Sequence, residues 1–269
     1  MKTLDGKQLA NFIKERQVHQ VANLIHSGIV PTLAIIRDSD NPVITKYVNL
    51  KIKYSEDIGV KAIDFFAKSA DNIQEQILRL NADSEIHGII LQLPITDEAK
   101  TDSLTSLIIP EKDVDGLSGV PTAFDSATAT AINWLLAGYD IKLRGAKIAI
   151  IGRGKLVGAP LSRMFTDSGY DVELFHRGSD LTKLKQFDII ITATGVPGLI
   201  SSEYVKSGAV IVDAGTASEN GVLKGDVADD VRERTDLTAI TPVIGGVGPL
   251  TVACLFDHVI QAAARNNSI

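Results

Sequence analysis

The sequence predicts an α/β fold in two domains, each built around a parallel sheet. Helical stretches with apolar residues three and four positions apart alternate with short β-branched runs, which is typical of parallel strands joined by crossover helices. The chain has 269 residues, and at roughly one domain per about 150 residues it has room for two modest domains. A polar turn at residues 111–116, directly after Pro110, predicts the junction.

The first half of the chain is predicted as a helix followed by β-α-β-α-β. A helix with an apolar stripe formed by Val43, Tyr47, Leu50, Tyr54 and Ile58 begins near Asn41-Pro42 and is stopped by Gly59. The remaining predicted elements are a helix over 9–25, strands at 32–36, 61–66 and 88–91, and a helix over 71–81.

The second half repeats the alternation and predicts a Rossmann-like, doubly wound unit. A helix is expected over 126–136, strands at 147–151, 172–175, 188–192 and 209–212, and a last helix from about Leu250 to Ala264. The uncharged stretch 237–256 contains Pro242 and Pro249 among several glycines, so we interpret it as a loop leading into a helix and not as a membrane span. The last helix is expected to return to the first domain. The predicted domains are therefore 1–120 with 248–269, and 121–247.

Composition excludes several classes of protein. The formal net charge is −6, which gives no electrostatic reason to bind nucleic acid. Cys254 is the single cysteine, which excludes an internal disulfide and a zinc site of several cysteines, and favours a reducing cytoplasm. The N-terminal charges are not followed by an apolar core, so no signal peptide is predicted. No metal site is predicted.

A glycine-rich turn follows the strand at 147–151. Gly152, Arg153, Gly154 and Gly158 form the pattern Gly-x-Gly-x-x-x-Gly, one residue longer than the usual dinucleotide fingerprint. Glycines allow the backbone to approach a pyrophosphate, and the free amides at a helix start bind its charge. A purely structural turn is the alternative.

The end of the next strand distinguishes between nicotinamide cofactors. An NAD enzyme commonly places a carboxylate there to bind the ribose hydroxyls, whereas this chain has His176 and Arg177. Arg153 and Arg177 would suit the additional phosphate of NADP, because the planar guanidinium matches phosphate oxygens. Two solvated arginines are the alternative. Thr194 and Gly195 lie in a second loop at a strand end, where ligands bind in such sheets.

Four polar residues in the first half are candidates for catalysis. Tyr47 and Lys51 are four residues apart and share a helix face, and a partly dehydrated lysine can transfer protons near neutral pH. Gln92 follows a strand, and Asp115 lies in the polar turn. An ordinary solvated lysine, a strand-end cap and a turn-forming aspartate are the respective alternatives. The glycines of 245–249 require a tight loop, for packing or for a ligand.

Seven motifs in this order resemble one family over nearly the whole chain. They are Leu4-Asp5-Gly6-Lys7, Tyr47-Val48-x-x-Lys51, Gln92-Leu93-Pro94, Asp113-Val114-Asp115-Gly116, the Gly152 turn, Gly225-Asp226-Val227, and the segment 245–251. The sequence is identified as resembling the bifunctional methylenetetrahydrofolate dehydrogenase/methenyltetrahydrofolate cyclohydrolases, the FolD family.

The resemblance implies a folate cleft between a catalytic domain and an NADP-binding domain, in a cytoplasmic homodimer. It implies that Lys51 is the catalytic lysine, that Gln92 tunes it, that Asp115 binds the pterin, and that Tyr47 stacks on the aminobenzoyl ring. The predicted nucleotide-binding residues are Gly152, Arg153, Gly154, Gly158, His176, Arg177, Thr194, Gly195 and Thr216. The predicted folate-binding residues also include Leu91, Leu93, Gly245, Gly246, Val247, Gly248, Pro249 and Thr251.

The implied chemistry is oxidation of 5,10-methylenetetrahydrofolate with NADP, followed by hydrolysis of the methenyl product to 10-formyltetrahydrofolate. The sequence departs from the family at Ile44, where serine is usual, at Gly154, and at Ile244, where proline is usual. Residues 126–129 replace a Pro-Cys-Thr-Pro motif, the segment after Asp115 is shorter, and residues 213–216 vary the family pattern. Alternatives are an NADP dehydrogenase of the shikimate type and a nucleotide sensor without catalysis.

Overall fold

Two compact units make up the chain. The computed structural model describes residues 1–120, 123–215, 217–219 and 222–265. The three-stranded unit comprises Asn11–Ala127 together with the chain from Val252 onwards, and the six-stranded unit comprises Met1–Ala10 and Thr128–Thr251. The prediction that the last helix returns to the first domain is confirmed, because most of that helix belongs to the three-stranded unit. No sequence pattern indicated that the first ten residues belong to the six-stranded unit.

The three-stranded unit contains a parallel sheet with the strand order β3-β2-β4. One apolar core of this unit is formed by residues of β2, β4 and α3, including Ile36, Ile77 and Ile89. Its elements are the part of α1 (Gly6–His26) from Asn11 onwards, β2 (Thr32–Arg37), α2 (Pro42–Ile58), β3 (Lys61–Phe66), α3 (Ala70–Ala82), β4 (Gly88–Leu91) and α4 (Thr101–Thr105), with a 3₁₀ turn at Glu98–Lys100. The predicted β-α-β-α-β order is confirmed.

Helix α2 has the predicted ends but not the predicted buried face. The Asn41 side chain accepts a hydrogen bond from the Val43 amide, and Gly59 ends the helix at φ 82°. The buried residues are Ile44, Val48, Ser55 and Ile58, whereas Val43 and Leu50 are 46% and 49% exposed. The apolar stripe was wrong because two neighbouring stripes both have helical spacing, and packing against the sheet selects one of them.

The six-stranded unit contains a parallel sheet in the order β1-β11-β8-β7-β5-β6. Its strands are β1 (Lys2–Thr3), β5 (Lys147–Ile151), β6 (Asp171–Phe175), β7 (Ile189–Thr192), β8 (Val210–Asp213) and β11 (Ala239–Ile240). Around the sheet lie α5 (Ala127–Gly138), α6 (Gly158–Asp167), α7 (Asp229–Arg232), 3₁₀ turns at Leu181–Gln186 and Ser202–Tyr204, and the hairpin of β9 (Ala217–Glu219) and β10 (Val222–Lys224).

The strand order places a ligand-binding position at one point of the six-stranded sheet. The chain runs from β5 outward to β6 and then returns to β7 on the other side of β5. In doubly wound sheets ligands bind at the carboxyl ends of the strands where the winding direction changes. The loops that follow β5 and β7 lie at that point, and they are the two loops that the sequence singles out.

Helix α8 (Val247–Arg265) starts earlier than predicted. Gly248 and Pro249, expected in a loop, lie in its first turn, where proline is tolerated because its missing amide has no helical partner. Among the residues that the structure describes, α8 is one helix with the length and composition of a membrane span, and 67% of its most apolar window is buried inside the protein. Burial of this extent is expected of a core helix in a folded domain.

Candidate active site

A lysine and a glutamine meet in the three-stranded unit. Lys51 lies on α2 and Gln92 directly follows β4, and the Lys51 Nζ donates to Gln92 Oε1 at 2.7 Å. The Gln92 backbone amide donates to the carbonyl of Ile36, and its side-chain Nε2 donates to the carbonyl of Leu93 at 3.0 Å. Because the amide nitrogen is occupied in this way, the oxygen of Gln92 is the atom that faces the lysine.

A compact turn holds Asp115 in the same unit. Asp113 pairs with Ile89 of β4 as an isolated parallel bridge, and its carboxylate accepts the backbone amides of Leu117 and Ser118. Gly116 has φ 67°, and a Cβ there would lie 2.6 Å from the Asp125 carbonyl carbon, so only glycine fits. Asp115 therefore lies between two residues whose backbone is held by these contacts.

Burial shifts the pKa values of Lys51 and Asp115 in opposite directions, and the charge of each group partly counteracts the shift of the other. Burial lowers the pKa of Lys51, and the opposing carboxylate of Asp115 raises it in part. Burial raises the pKa of Asp115 to about 6, an effect that Lys51 counteracts and that Asp113 reinforces. The pair therefore combines an amine that loses its proton more easily than usual with a carboxyl group whose pKa is raised to about 6, which suits proton transfer.

Tyr47 and the other predicted folate residues of this unit have differing positions. Tyr47 is half-buried on α2, one turn before Lys51. Ile44 is 6% exposed and belongs to the buried face of α2, so an apolar residue suits that position. The side chain of Leu91 lies in the apolar core of the unit, and that of Leu93 packs against the core. A contact of these two leucines with folate stays a prediction.

The glycine turn after β5 is closely packed against the loop after β7. Gly152 has φ 101°, and a Cβ there would lie 2.5 Å from the Ala193 carbonyl oxygen. A Cβ on Gly158 would lie 1.7 Å from the Gly152 carbonyl oxygen. The turn requires glycine at both positions. Gly154 has open space around it, so glycine there is not required by packing.

The charged groups at this end of the sheet are compatible with a dinucleotide phosphate. Arg153 and Arg177 are exposed, and within the described part of the chain their guanidinium groups have no hydrogen-bond or ion-pair partner. No side chain caps the start of α6 at Val157, which leaves a helix N-terminus next to the turn. The His176 amide donates to Ser179 Oγ, which closes a turn at the end of β6. The residues present therefore fit NADP.

A buried carboxylate that the sequence did not assign to the site fixes the loop after β7. Asp226 is fully buried, and its Oδ2 accepts hydrogen bonds from the Thr192 hydroxyl at 2.7 Å and the Thr194 amide at 2.6 Å. Gly195 follows with φ 69°. The Gly225-Asp226-Val227 motif was the available signal, because a carboxylate between a glycine and a core residue needs buried partners.

A second buried carboxylate supports the first. Asp213, at the end of β8, accepts the amides of Gly215, Asp226 and Val227 and pairs with Arg232. Burial raises the pKa of Asp213, against the effect of its hydrogen bonds and of Arg232. Thr216, a predicted nucleotide contact, lies outside the described residues.

The predicted folate segment at 245–251 is buttressed by the N-terminal motif within the six-stranded unit. Gly245 has φ 88°, and its carbonyl accepts the Lys7 amide at 2.9 Å. A Cβ on Gly6 would lie 1.8 Å from the Gly246 carbonyl oxygen. The remaining predicted residues, Val247, Gly248, Pro249 and Thr251, form the first turns of α8. The Leu4–Lys7 motif therefore has a packing role.

The described residues contain no group of three or more histidine, cysteine or acidic side chains placed to hold a metal ion. The candidate chemistry of the molecule thus consists of the Lys51, Gln92 and Asp115 group in one unit and the glycine turn with its arginines in the other.

Comparison with known proteins identifies the chain. Residues 4–115 match the model of the tetrahydrofolate dehydrogenase/cyclohydrolase catalytic domain, and residues 126–267 match that of the tetrahydrofolate dehydrogenase/cyclohydrolase NAD(P)-binding domain. The chain belongs to this family. The predicted family membership and the two-domain α/β fold are confirmed.

Three members of the family illustrate the similarity. The bifunctional protein FolD of Lactobacillus helveticus is 37% identical, over 99% of this chain and 99% of that protein. The bifunctional FolD methylenetetrahydrofolate dehydrogenase/cyclohydrolase of Campylobacter jejuni has a TM-score of 0.93 at 34% identity, over 98% of this chain and 99% of that one. The Trypanosoma brucei FolD complexed with NADP and an inhibitor has a TM-score of 0.91 at 28% identity, over 99% and 98%.

Proposed function

We propose that this chain oxidises 5,10-methylenetetrahydrofolate to 5,10-methenyltetrahydrofolate with NADP and then hydrolyses the product to 10-formyltetrahydrofolate, within one-carbon metabolism. The observation that carries the proposal is the Lys51 to Gln92 hydrogen bond beside Asp115, in a chain whose two halves match both domains of the family. A dehydrogenase of the shikimate type would have no reason to combine Gln92, Asp115 and the loop at 245–249 in this arrangement. A nucleotide sensor would have no reason to retain Tyr47 and Lys51.

The dehydrogenase step depends on positioning. NADP, when bound, would supply the acceptor for the hydride of the methylene carbon. Asp115 binds the pterin ring, and Tyr47 stacks on the aminobenzoyl ring, so that the folate is oriented by groups of the three-stranded unit. Arg153 and Arg177 would hold the additional phosphate of the cofactor, and the turn at Gly152, Gly154 and Gly158 would hold its pyrophosphate.

The cyclohydrolase step depends on Lys51. Water adds to the electrophilic methenyl carbon, and the ring then opens to give the formyl product. Because burial favours the neutral amine, Lys51 can accept one proton from the attacking water and return it to the ring nitrogen that leaves. The second proton of the water is released to solvent as the formyl carbonyl forms. Gln92 accepts a hydrogen bond from Nζ and thereby fixes the direction of the amine. No metal ion takes part in this scheme.

The remaining site residues complete the proposal. His176, Thr194, Gly195 and Thr216 contact the nucleotide, and Leu91, Leu93 and the segment 245–251 contact the folate. We assign the folate to residues 1–120 with 248–269 and the nucleotide to 121–247. The chain is proposed to act in the cytoplasm as a homodimer, without a nucleic-acid or membrane partner. The net charge of −6 supports the absence of a nucleic-acid partner.

A coupled assay with purified protein tests the proposed function. NADPH formation is followed with 5,10-methylenetetrahydrofolate as substrate, and loss of the methenyl compound is followed by its absorbance, in parallel with NADP and NAD. We expect both activities, with NADP preferred. NADP binding without either activity would favour the nucleotide sensor, and turnover of shikimate in place of folate would favour the other dehydrogenase.

A further inference from the structure

A histidine on α8 contacts the turn that carries Asp115. His258 is 5% exposed, and its Nδ1 lies 2.8 Å from the carbonyl oxygen of Val114, the residue between Asp113 and Asp115. A carbonyl only accepts hydrogen bonds, so Nδ1 must carry the proton in this contact. The bond joins residues 144 positions apart in the sequence.

The surroundings of His258 hold its ring in one orientation. The ring stacks on Phe124 with centroids 4.8 Å apart, and the Arg265 guanidinium lies 4.9 Å from the centroid of the Phe124 ring. Burial lowers the pKa of His258, while the Val114 carbonyl, Asp257 on its own helix, and Asp125 and Asp113 from the facing segments raise it. The neutral ring with a protonated Nδ1 matches this environment.

Val114 has little freedom apart from this bond. Val114 is fully buried, and a Cβ added to Gly88 of β4 would lie 2.8 Å from its side chain. The turn is thus supported by β4 on one side, by the Asp113 carboxylate at its end, and by His258 at the residue immediately before Asp115. A backbone shift at Val114 moves Asp115 directly, because the two residues share a peptide unit.

We propose that His258 is a positioning residue of the reaction, which fixes Asp115 opposite Lys51 through its hydrogen bond to the Val114 carbonyl. This inference rests on the proposed function, in which Asp115 binds the pterin and opposes the charge of Lys51. His258 itself contacts neither Asp115 nor Lys51 by any hydrogen bond of the described residues. Its effect is transmitted through the backbone of the turn.

Two substitutions separate the hydrogen bond from packing. His258→Phe keeps an aromatic ring against Phe124 but removes the donor, whereas His258→Asn loses the ring but offers an amide nitrogen at the same distance along the side chain. The buried Ile260 of α8 provides the control, since Ile260→Ala weakens packing of the same helix without altering the turn. Each variant is measured for its thermal midpoint, for kcat and KM of both reactions, and for the pH profile of the cyclohydrolase.

We expect His258→Phe to raise the KM for folate about 3- to 10-fold, the loss that one hydrogen bond accounts for. We also expect its acidic pH limb to move to lower pH, because a looser turn exposes Asp115 to water and burial is what raises the pKa of Asp115. The groups facing Asp115 in this titration are Lys51 and Asp113. In His258→Asn, we expect the KM for folate to be within about 3-fold of the wild-type value and the acidic limb to keep its wild-type position. Ile260→Ala should lower only the thermal midpoint.

Wild-type kinetics in a folded His258→Phe variant, or failure of a folded His258→Asn variant to restore them, would overturn the proposal. Nitrogen NMR of the wild-type ring provides a measurement that needs no variant: a proton on Nδ1 supports the proposal, and a proton on Nε2 alone contradicts it. If the wild-type protein has neither folate activity, the proposed function has failed, and the NMR result still reports on the hydrogen bond.

Discussion

The two units share a winding pattern but present their polar groups in opposite ways. In the three-stranded sheet β3 and β4 lie on either side of β2, and in the six-stranded sheet β6 and β7 lie on either side of β5. The three-stranded unit holds Lys51 and Asp115 partly buried, with altered pKa values and defined partners. The six-stranded unit instead has a close-packed glycine turn and the exposed guanidinium groups of Arg153 and Arg177. Under the proposed function, the reacting groups would thus be preorganised by burial, whereas the arginines proposed to bind phosphate would stay hydrated until the ligand arrives.

Loss of Lys51 is the largest expected effect. Lys51→Met should reduce cyclohydrolase turnover about 10²- to 10⁴-fold, the range that general acid–base catalysis contributes, while leaving NADP binding unchanged. Lys46→Met is the matched control, because Lys46 lies on the same helix and is exposed. Kinetics of methenyl hydrolysis and titration with NADP check this, and full turnover by Lys51→Met would refute the role of the amine.

Loss of an exposed arginine should affect affinity and not the rate. Arg177→Ala should raise the KM for NADP about 10- to 100-fold, the cost of a charge-assisted hydrogen bond to phosphate, with kcat and the KM for NAD nearly unchanged. Arg163→Ala, an exposed arginine on α6, removes the same charge as a control. Equal increases in the KM for NADP and for NAD would show that Arg177 does not bind the additional phosphate.

Removal of the Asp115 charge should change the pH dependence. The pKa of Asp115 is about 6, so below that pH the carboxyl becomes protonated, and activity that needs the carboxylate falls. Asp115→Asn should abolish this acidic limb. It should also lower the pKa of Lys51 further, because Asp115 is the charge that raises it, so the neutral amine persists to lower pH.

The measurement is the cyclohydrolase rate between about pH 5 and 9. At the acidic end, we expect the rate of Asp115→Asn relative to its own maximum to exceed that of the wild type about tenfold, equivalent to one pKa unit. Glu111→Gln, at an exposed position near the turn, is the control. An unchanged acidic limb in Asp115→Asn would assign that limb to another group.

The smallest effect concerns stability. Lys112 is 7% exposed, and its Nζ donates to the carbonyls of Leu80, Asn81 and Asp83 at the end of α3. Lys112→Met should cost about 1–3 kcal/mol of unfolding free energy, because buried carbonyls lose their partner. In the six-stranded unit, Lys206→Met breaks a partly exposed pair with Asp188 and should cost less than about 1 kcal/mol. Urea unfolding measures the free energy of unfolding of both variants. Equal losses of this free energy would contradict the predicted difference.

Local sequence signals predicted most helices and strands, whereas tertiary contacts determine which helix face is buried and which side chains pair. Asn41-Pro42 and Gly59 define the ends of α2 because caps act within a few residues, but its buried face depends on the sheet beneath it. Strands β1 and β11 have two residues each, too few to show any period. The Lys51, Gln92 and Asp115 group was predicted by type and order, whereas its hydrogen bond could only come from the fold.

His258 and Asp226 show the limit of sequence reasoning at the site. His258 donates a hydrogen bond to a backbone carbonyl. Every residue has a backbone carbonyl, so no sequence pattern identifies this partner. Asp226 binds a backbone amide and a hydroxyl more than thirty positions away. In both cases the partner is distant along the chain and chemically common, so no spacing rule marks the pair.

The pairing of β1 with β11 has a consequence for biosynthesis. Lys2 and Thr3 pair with Ala239 and Ile240, so these two residues find their strand partners only after all the residues between the two strands have been made. The three-stranded unit is likewise incomplete until its part of α8, which begins at Val252, has been made. Neither unit can be completed during translation in the usual order, with the N-terminal domain first. A stalled or truncated nascent chain would thus expose two unfinished cores to proteases and chaperones at once.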